Sequence, residues 1–136
     1  MVKINGVYEG QLRTRMTHEQ SASQIITDAP KDNMGKGEAF SPTDLVATAL
    51  GSCMLTVMGI AANKHQVDLK GARVDVSKEM VVAPVRRIGK ITVDIHMPKG
   101  IPSDKRSLLE AAGLSCPVHK SLHPDLQTPI QFHYQD

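Results

Sequence analysis

Hydrophobic and polar residues alternate along several short stretches of the chain, as they do in half-buried β-strands. The segment from Val2 to Leu12 predicts a first strand, and "SQIITDAP", which Pro30 closes, predicts a second. The stretches "ARVDVSKEMVV", "KITVDIHMP" and "PIQFHYQ" predict three more strands. The apolar residues expected on one face of the last two are Ile91, Val93, Ile95, Met97, Ile130, Phe132 and Tyr134.

Two longer stretches predict helices. Ser41 has the features of an N-cap, with Pro42 at the first helical position and Asp44 three residues past the cap, and the helix should run to about Asn63. "PSDKRSLLEAAGLSC" predicts a second, amphipathic helix, capped by Ser103 and ending near Cys116. This order of elements predicts an α+β fold with a mainly antiparallel sheet, in a single domain over residues 1–136.

The first predicted helix is apolar on all sides, with no charged residue between Asp44 and Lys64. Its length raises the possibility of a membrane span. Small and polar residues interrupt it, however, and it lacks aromatic belts and a basic flank. A helix of this kind in a soluble protein is a buried central helix, so we expect no membrane partner.

Composition changes this picture in one respect. Of the 136 residues, 40% are hydrophobic but only 3% are aromatic and none is Trp, so the core must be aliphatic. A partner subunit would extend such a core, which favours an oligomer. A formal charge of +2 without a basic run gives no reason to expect nucleic acid binding. The N-terminal "MVKINGVYEGQLRTR" has no apolar signal core, which predicts a cytoplasmic protein.

Cys53 lies in the middle of the apolar helix. It could be a core residue, a metal ligand or a reactive nucleophile. Apolar surroundings disfavour any thiolate, so a nucleophile here needs a cation from another element. The candidates are Arg13, Arg15, Arg86 and Arg87, whose guanidinium groups stay charged even when buried. Strand arginines more often only face water, and that alternative stays open.

The second cysteine, Cys116, lies in "GLSCPVHKSLHPD". With His119 and His123 it could form a three-ligand metal set, although Pro117 and Pro124 interrupt the segment. Two cysteines in a reducing compartment are not expected to form a permanent disulfide. His96 and His133 occupy polar strand positions and should face solvent. No Ser/His/Asp grouping, phosphate loop or nucleotide fingerprint is present, so we expect no cofactor.

Three motifs together resemble the OsmC/Ohr family of thiol-dependent peroxidases: "SPTDLVATALGSCM", "PVRRI" and "LEAAGLSCPVHKSL". The resemblance extends loosely to the N-terminal "YEGQL" and "SQIITDAP". It implies an intertwined homodimer, with mainly antiparallel sheets wrapped around a long buried central helix. It also implies two active sites at the subunit interface.

The resemblance further implies roles for individual residues. Cys53 would be the peroxidatic thiolate that attacks a small-molecule hydroperoxide, and Cys116 the resolving thiol. An external dithiol would reduce the resulting disulfide. Arg13 or Arg15 would hold the thiolate.

Peroxidase-type members carry a glutamate directly after the helix-start proline, where it orients the activating arginine. This chain has Thr43 at that position, with Asp44 and Glu38 as the nearest carboxylates. The alternative function is non-enzymatic: a dimeric module that binds an apolar ligand at its interface, with Cys53 as a packing residue.

Overall fold

The computed structural model describes residues 1–135 and has an α+β architecture, as predicted. The chain forms two compact units, residues 1–46 and residues 47 onward. Along the chain the elements are β1 (Ile4–Gly10), β2 (Arg13–His18), β3 (Gln24–Asp28), α1 (Pro42–Lys64), β4 (Arg73–Val81), β5 (Arg87–His96), α2 (Ser103–Leu114), α3 (Pro117–Ser121) and β6 (Ile130–His133).

The first unit contains an antiparallel sheet of strand order β1-β2-β3. The single strand predicted from Val2 to Leu12 is wrong at its C-terminal end. The chain reverses at Gly10, Gln11 and Leu12, whose φ angles are 86°, 55° and 62°. "RTRMTH" therefore forms its own strand, in which Arg13 lies opposite Asp28. The second predicted strand is confirmed as β3.

The start of α1 is confirmed in detail. The Ser41 amide donates to Asp44 Oδ2 at 2.9 Å, and the Asp44 amide donates to Ser41 Oγ at 3.1 Å. This reciprocal pair satisfies amides that a helix start otherwise leaves free, because the first turn has no intrahelical acceptors. The helix ends at Lys64, one residue beyond the prediction.

α1 is buried along one face. Its fully buried residues form one stripe, while Ile60 on another side is 52% exposed. The buried positions are Ala47, Leu50, Gly51, Met54, Met58 and Ala62. The helix is long and apolar enough to cross a bilayer, a property that core helices of soluble proteins share. Within one chain, α1 is therefore buried along this stripe and partly exposed on its other sides.

The second unit contains a sheet of strand order β4-β5-β6. The predicted alternation in β5 is confirmed, since Ile91, Val93 and Ile95 are fully buried and Met97 beyond the strand is 1% exposed. β4 and β5 are antiparallel, whereas β6 runs parallel to β5. Parallel neighbours need a crossover connection, and α2 and α3 provide it.

Two glycines let α1 approach its neighbours in this unit. A Cβ on Gly51 would lie 2.8 Å from Val76 Cγ2 of β4, and one on Gly113 of α2 would lie 3.0 Å from Met58 Sδ. The prediction that Ser103 caps α2 is wrong, because Pro102 occupies the N-cap and Ser103 is already helical. α2 ends at Leu114, and the short α3 was not predicted.

Candidate active site

The two cysteines of the chain meet in the second unit. Cys53 lies in α1 and is half-buried, whereas Cys116 is fully buried at the N-cap of α3. The Cys116 thiol donates a hydrogen bond to the Cys53 side chain, and both cysteines are free. The fold thus brings together two thiols that are 63 positions apart in the sequence.

The surroundings of Cys116 keep it protonated. Burial raises the pKa of its thiol, and the contact with Cys53 raises it further. The backbone amides of His119 and Val118 act in the opposite direction without reversing the shift; the His119 amide lies 3.4 Å from Cys116 Sγ. At neutral pH Cys116 is therefore a thiol, and it serves as the hydrogen-bond donor of the pair.

The histidines near Cys116 do not form the metal set considered above. His119 Nε2 lies 2.9 Å from Thr128 Oγ1, and His123 Nδ1 accepts the Asp125 amide at 3.1 Å. Within residues 1–135, no three His, Cys, Asp or Glu side chains form a group able to hold a metal ion. Cys116, His119 and His123 are therefore not arranged as a set of metal ligands in the described part of the chain.

His96 and His133 occupy the polar face of the second sheet. Their side chains are 30% and 42% exposed; His96 Nε2 lies 2.9 Å from Asp75 Oδ2, and His133 Nε2 lies 2.8 Å from Asp94 Oδ1. The two rings stack with centroids 4.8 Å apart. Partial exposure agrees with the expectation that they face solvent.

Arg13 belongs to a charged cluster in the first unit. Its Nη2 lies 3.3 Å from Asp28 Oδ2 and 3.6 Å from Glu38 Oε2. The Asp28 side chain is only 1% exposed, and it also accepts the Glu38 amide at 2.9 Å. That backbone hydrogen bond, followed by Arg13, holds the pKa of Asp28 below its usual value. A buried carboxylate thus fixes the Arg13 guanidinium in place.

Arg15 has more exposed partners. Its Nε lies 3.1 Å from Glu9 Oε2, and its Nη1 donates to Gln24 Oε1 at 3.3 Å. Because the Arg15 and Glu9 side chains are 41% and 35% exposed, this ion pair contributes little free energy and does not fix the Arg15 side chain in one position. Of the two candidate arginines, Arg13 is the better anchored.

The candidate carboxylates have separate positions. Glu38 contacts Arg13, whereas Asp44 binds the Ser41 amide in the helix cap, where Thr43 Oγ1 also lies 3.1 Å from Ser41 Oγ. Sequence reasoning missed Asp28, the closer partner of Arg13. The sequence feature that could have identified Asp28 is its position as a single acidic residue at the end of "QIIT", directly before Ala29 and Pro30.

Concave surfaces border the charged cluster of the first unit and the loops of the second unit. In the first unit, a polar cavity of about 290 Å³ borders Arg13. Its lining residues are Glu9, Gly10, Gln11, Arg13, Lys36 and Glu38. In the second unit, a cleft of about 440 Å³ has a mostly apolar wall. Its lining residues are Pro84, Val85, Arg87, Ile88, His123, Asp125 and Leu126.

Comparison with known proteins gives a consistent result. A family model described as OsmC-like protein matches residues 35–130 of the chain. Among solved structures, the chain is similar to a candidate osmotic stress induced and detoxification response protein from Psychrobacter arcticus 273-4. The two are 44% identical over 98% of this chain and 96% of that chain, with a TM-score of 0.91. A search of curated proteins found no match.

More distant structures share the fold. One is an organic hydroperoxide resistance protein OsmC from Legionella pneumophila, 14% identical over 98% of this chain and 96% of that chain, with a TM-score of 0.78. Another is a candidate organic hydroperoxide resistance protein from Vibrio cholerae O1 biovar eltor, with captopril bound in one of its active sites. It is 18% identical over 97% of this chain and 90% of that chain, with a TM-score of 0.75.

Proposed function

Because the chain belongs to the OsmC-like protein family, we propose that it reduces organic hydroperoxides in the cytoplasm as a defence against oxidative stress. Cys53 is the peroxidatic cysteine in this proposal and Cys116 the resolving cysteine. The observation that supports it is the hydrogen bond between these two thiols, the only two of the chain.

In the first step, the Cys53 thiolate attacks the terminal oxygen of the hydroperoxide ROOH. The O–O bond breaks, the alkoxide leaves and takes up a proton to become ROH, and Cys53 becomes a sulfenic acid. The sulfur loses two electrons, which reduce the peroxide. Cys53 is half-buried, whereas Cys116 is fully buried, so Cys53 is the better placed of the two to meet a peroxide first.

In the second step, the Cys116 sulfur attacks the sulfenic sulfur of Cys53. The S–S bond forms, the S–O bond breaks and water leaves, so the two cysteines end as a disulfide. An external dithiol then reduces that disulfide by thiol–disulfide exchange. Because Cys116 is buried and protonated until this step, it is protected from direct oxidation by peroxide.

Arg13 is the cation that we assign to the Cys53 thiolate. A guanidinium keeps its charge in apolar surroundings, and the buried Asp28 holds that of Arg13 in a fixed position. In this scheme Glu38 assists Asp28 as an orienting carboxylate. Asp44 acts through the helix cap, and Arg15 serves as a surface residue.

A homodimer completes the proposal. Large apolar residues of the first sheet are exposed in the single chain: Ile4 (62%), Val7 (66%), Tyr8 (63%), Ile25 (48%) and Ile26 (38%). A second copy of the chain would remove them from water, and such burial drives stable association. Sedimentation of the wild type at micromolar concentration should give the mass of a dimer, and a monomer would contradict this part.

The test of the enzymatic proposal is hydroperoxide consumption with dithiothreitol as the reductant. Wild type should turn over alkyl and lipid hydroperoxides. Cys53→Ser should fall to the uncatalysed rate. Cys116→Ser, treated with one equivalent of hydroperoxide in the absence of dithiothreitol, should hold Cys53 as a sulfenic acid instead of forming the disulfide. The proposal fails if wild type and Cys53→Ser are equally active or equally inert.

The apolar cleft of the second unit favours a second candidate function. Its volume of about 440 Å³ lies within the range of small-molecule sites, and most of its exposed wall is apolar. A non-enzymatic ligand-binding module would retain affinity for an apolar ligand in Cys53→Ala, and its Cys53 would not react with peroxide. Wild type and Cys53→Ala, assayed for both ligand affinity and hydroperoxide consumption, therefore distinguish the two functions.

A further inference from the structure

Arg87 lines the apolar cleft of the second unit, and its side chain has no polar partner among residues 1–135. It is the first residue of β5, where it pairs with Val81 of β4, and it is half-buried. A guanidinium stays charged at physiological pH, and a charge partly removed from water is costly unless an opposite charge meets it. The cleft therefore presents a cation that an anionic ligand could pair with.

The acidic residue of the same cleft contacts a different group. The Asp125 amide donates to His123 Nδ1 at 3.1 Å, and Asp125 Oδ2 lies 3.8 Å from the same nitrogen. Both side chains are 73% exposed, so water and salt screen the Asp125 charge. Asp125 thus leaves Arg87 without a counter-charge, but it disfavours a ligand that carries several negative charges.

The rest of the cleft wall is apolar. It comes from the β4–β5 hairpin and from the loop before β6, with the residues Pro84, Val85, Ile88 and Leu126. Val85 is 61% exposed, so a hydrocarbon chain bound against it would remove apolar surface from water. One cation beside an apolar wall suits an amphiphile, which has an anionic head and a hydrocarbon body.

Backbone hydrogen bonds attach the loop wall to the strand that carries Arg87. The Gln127 amide donates to the Gly89 carbonyl at 3.0 Å, and the Ile91 amide donates to the Gln127 carbonyl at 2.9 Å. Within the loop, the Leu126 amide donates to the His123 carbonyl at 3.0 Å. These bonds hold the loop against β5, so the cleft is formed before a ligand enters and binding orders little of the chain.

We propose that this cleft binds a monocarboxylate with a hydrocarbon chain, the chemical class of medium-chain fatty acids. The carboxylate pairs with the Arg87 guanidinium, whose planar array of N–H donors matches two carboxylate oxygens. The hydrocarbon chain lies against Val85, Ile88 and Leu126. A phosphate head would bring more negative charge close to Asp125. The inference rests on the cleft of the second candidate function and stands whether or not Cys53 reacts with peroxide.

The test is isothermal titration calorimetry of the full chain at pH 7 with octanoate, and with octanol as a neutral probe of the same chain length. Octanoate should bind wild type at one site per chain and more tightly than octanol. In Arg87→Gln we expect the affinity for octanoate to fall at least about tenfold, because the charged pair is lost. Its affinity for octanol should stay unchanged, which also shows that the variant is folded.

Two further variants control for charge and locate the site. Arg86→Gln removes the neighbouring arginine, which is exposed and does not line the cleft, and it should match wild type with both probes. Val85→Asp places a carboxylate on the exposed apolar wall and should weaken the binding of both probes, with the larger loss for octanoate.

Three results would overturn the inference: wild-type affinity for octanoate in Arg87→Gln, an equal loss in Arg86→Gln, or octanol bound by wild type as tightly as octanoate. Failure of the second candidate function gives a different result, because neither probe then binds wild type, and that result contradicts the inference as well. Failure of the peroxidase proposal leaves all these affinities unchanged, since neither cysteine lines the cleft.

Discussion

The two compact units of this protein hold their reactive groups in different ways. In the second unit the thiol pair lies against a core that the chain completes itself, with Leu50, Met54 and Ile95 fully buried. In the first unit Arg13 is fixed by the buried Asp28, yet the surrounding sheet leaves Val7 and Tyr8 more than 60% exposed. The proposed nucleophile Cys53 therefore lies in a unit with a buried core of its own, whereas the proposed cation Arg13 lies in a unit with an exposed apolar surface, which is consistent with the proposed dimer covering the first unit.

The largest expected effect is on the rate of Cys53 oxidation, and it should distinguish the two candidate arginines of the first unit. Arg13→Met should slow oxidation of Cys53 by hydroperoxide about 100-fold, or about 2.7 kcal/mol, because it removes the proposed cation. Arg15→Met lies two residues further along β2 and should change the rate less than about threefold. The measurement is the single-turnover rate of thiol loss. A larger loss in Arg15→Met would reassign the cation.

Two glycines of α1 test how tightly the second unit is packed. Gly51→Ala places its Cβ 2.8 Å from Val76 Cγ2, and such overpacking costs about 1–3 kcal/mol, of which better helix propensity returns up to about 1. Gly59→Ala meets no atom within 4 Å and should stabilise by up to about 1 kcal/mol. Urea unfolding of both variants measures the difference. Equal shifts would show that α1 tolerates a methyl group against β4.

The pH dependence of thermal stability tests the role of Asp28 in the first unit. Its pKa in the folded protein is lowered, so its contribution to stability is complete above the usual carboxyl range and is lost as pH falls through the folded value. Asp28→Asn should lower Tm by several degrees at pH 7 and approach wild type below about pH 3. Glu38→Gln changes a carboxylate that is 59% exposed and should have little effect on Tm. A constant Tm difference from pH 7 to pH 3 would contradict the role given to Asp28.

The smallest expected effect on stability comes from replacing the two tyrosines by phenylalanine. Tyr134 donates to Glu110 Oε2 at 2.7 Å in part-buried surroundings, and burial together with Glu110 raises the pKa of its phenol. Tyr134→Phe keeps the contact of the Arg106 guanidinium with the ring but loses this bond, at a cost of about 1 kcal/mol. Tyr8→Phe loses only an exposed bond from the Leu12 amide and should be nearly neutral. The comparison requires thermal unfolding of both variants, and an equal loss would contradict it.

Much of the fold could be predicted because local rules decide it. The capping pair of Ser41 and Asp44 fixed the start of α1, and the alternation from Ile91 to Met97 identified β5. The turn at Gln11 and Leu12 could not be predicted, because residues other than Gly rarely adopt positive φ and nothing in "EGQL" indicates that they do so here. Parallel pairing of β6 depends on tertiary packing and has no local signal.

The candidate site was predictable only in part. The two cysteines could be recognised from their motifs, but their contact depends on how α1 and α3 pack. Asp28 and Thr128 were missed because single polar residues at strand and loop ends are common, and only a partner identifies them as important. His119 was noticed as a metal ligand, whereas its contacts are with Cys116 and Thr128.

The parallel pairing of β6 with β5 has a consequence for the order in which the protein becomes competent. Cys116 lies on the crossover between these strands, so the sheet that this crossover connects is complete only after β6 has been synthesised. Cys53 is synthesised long before its partner is secured. Under the proposed function, a chain truncated before β6 would keep Cys53 but would lack the strand that completes this sheet, and an oxidised Cys53 whose partner thiol was displaced would have no internal route back to the thiol.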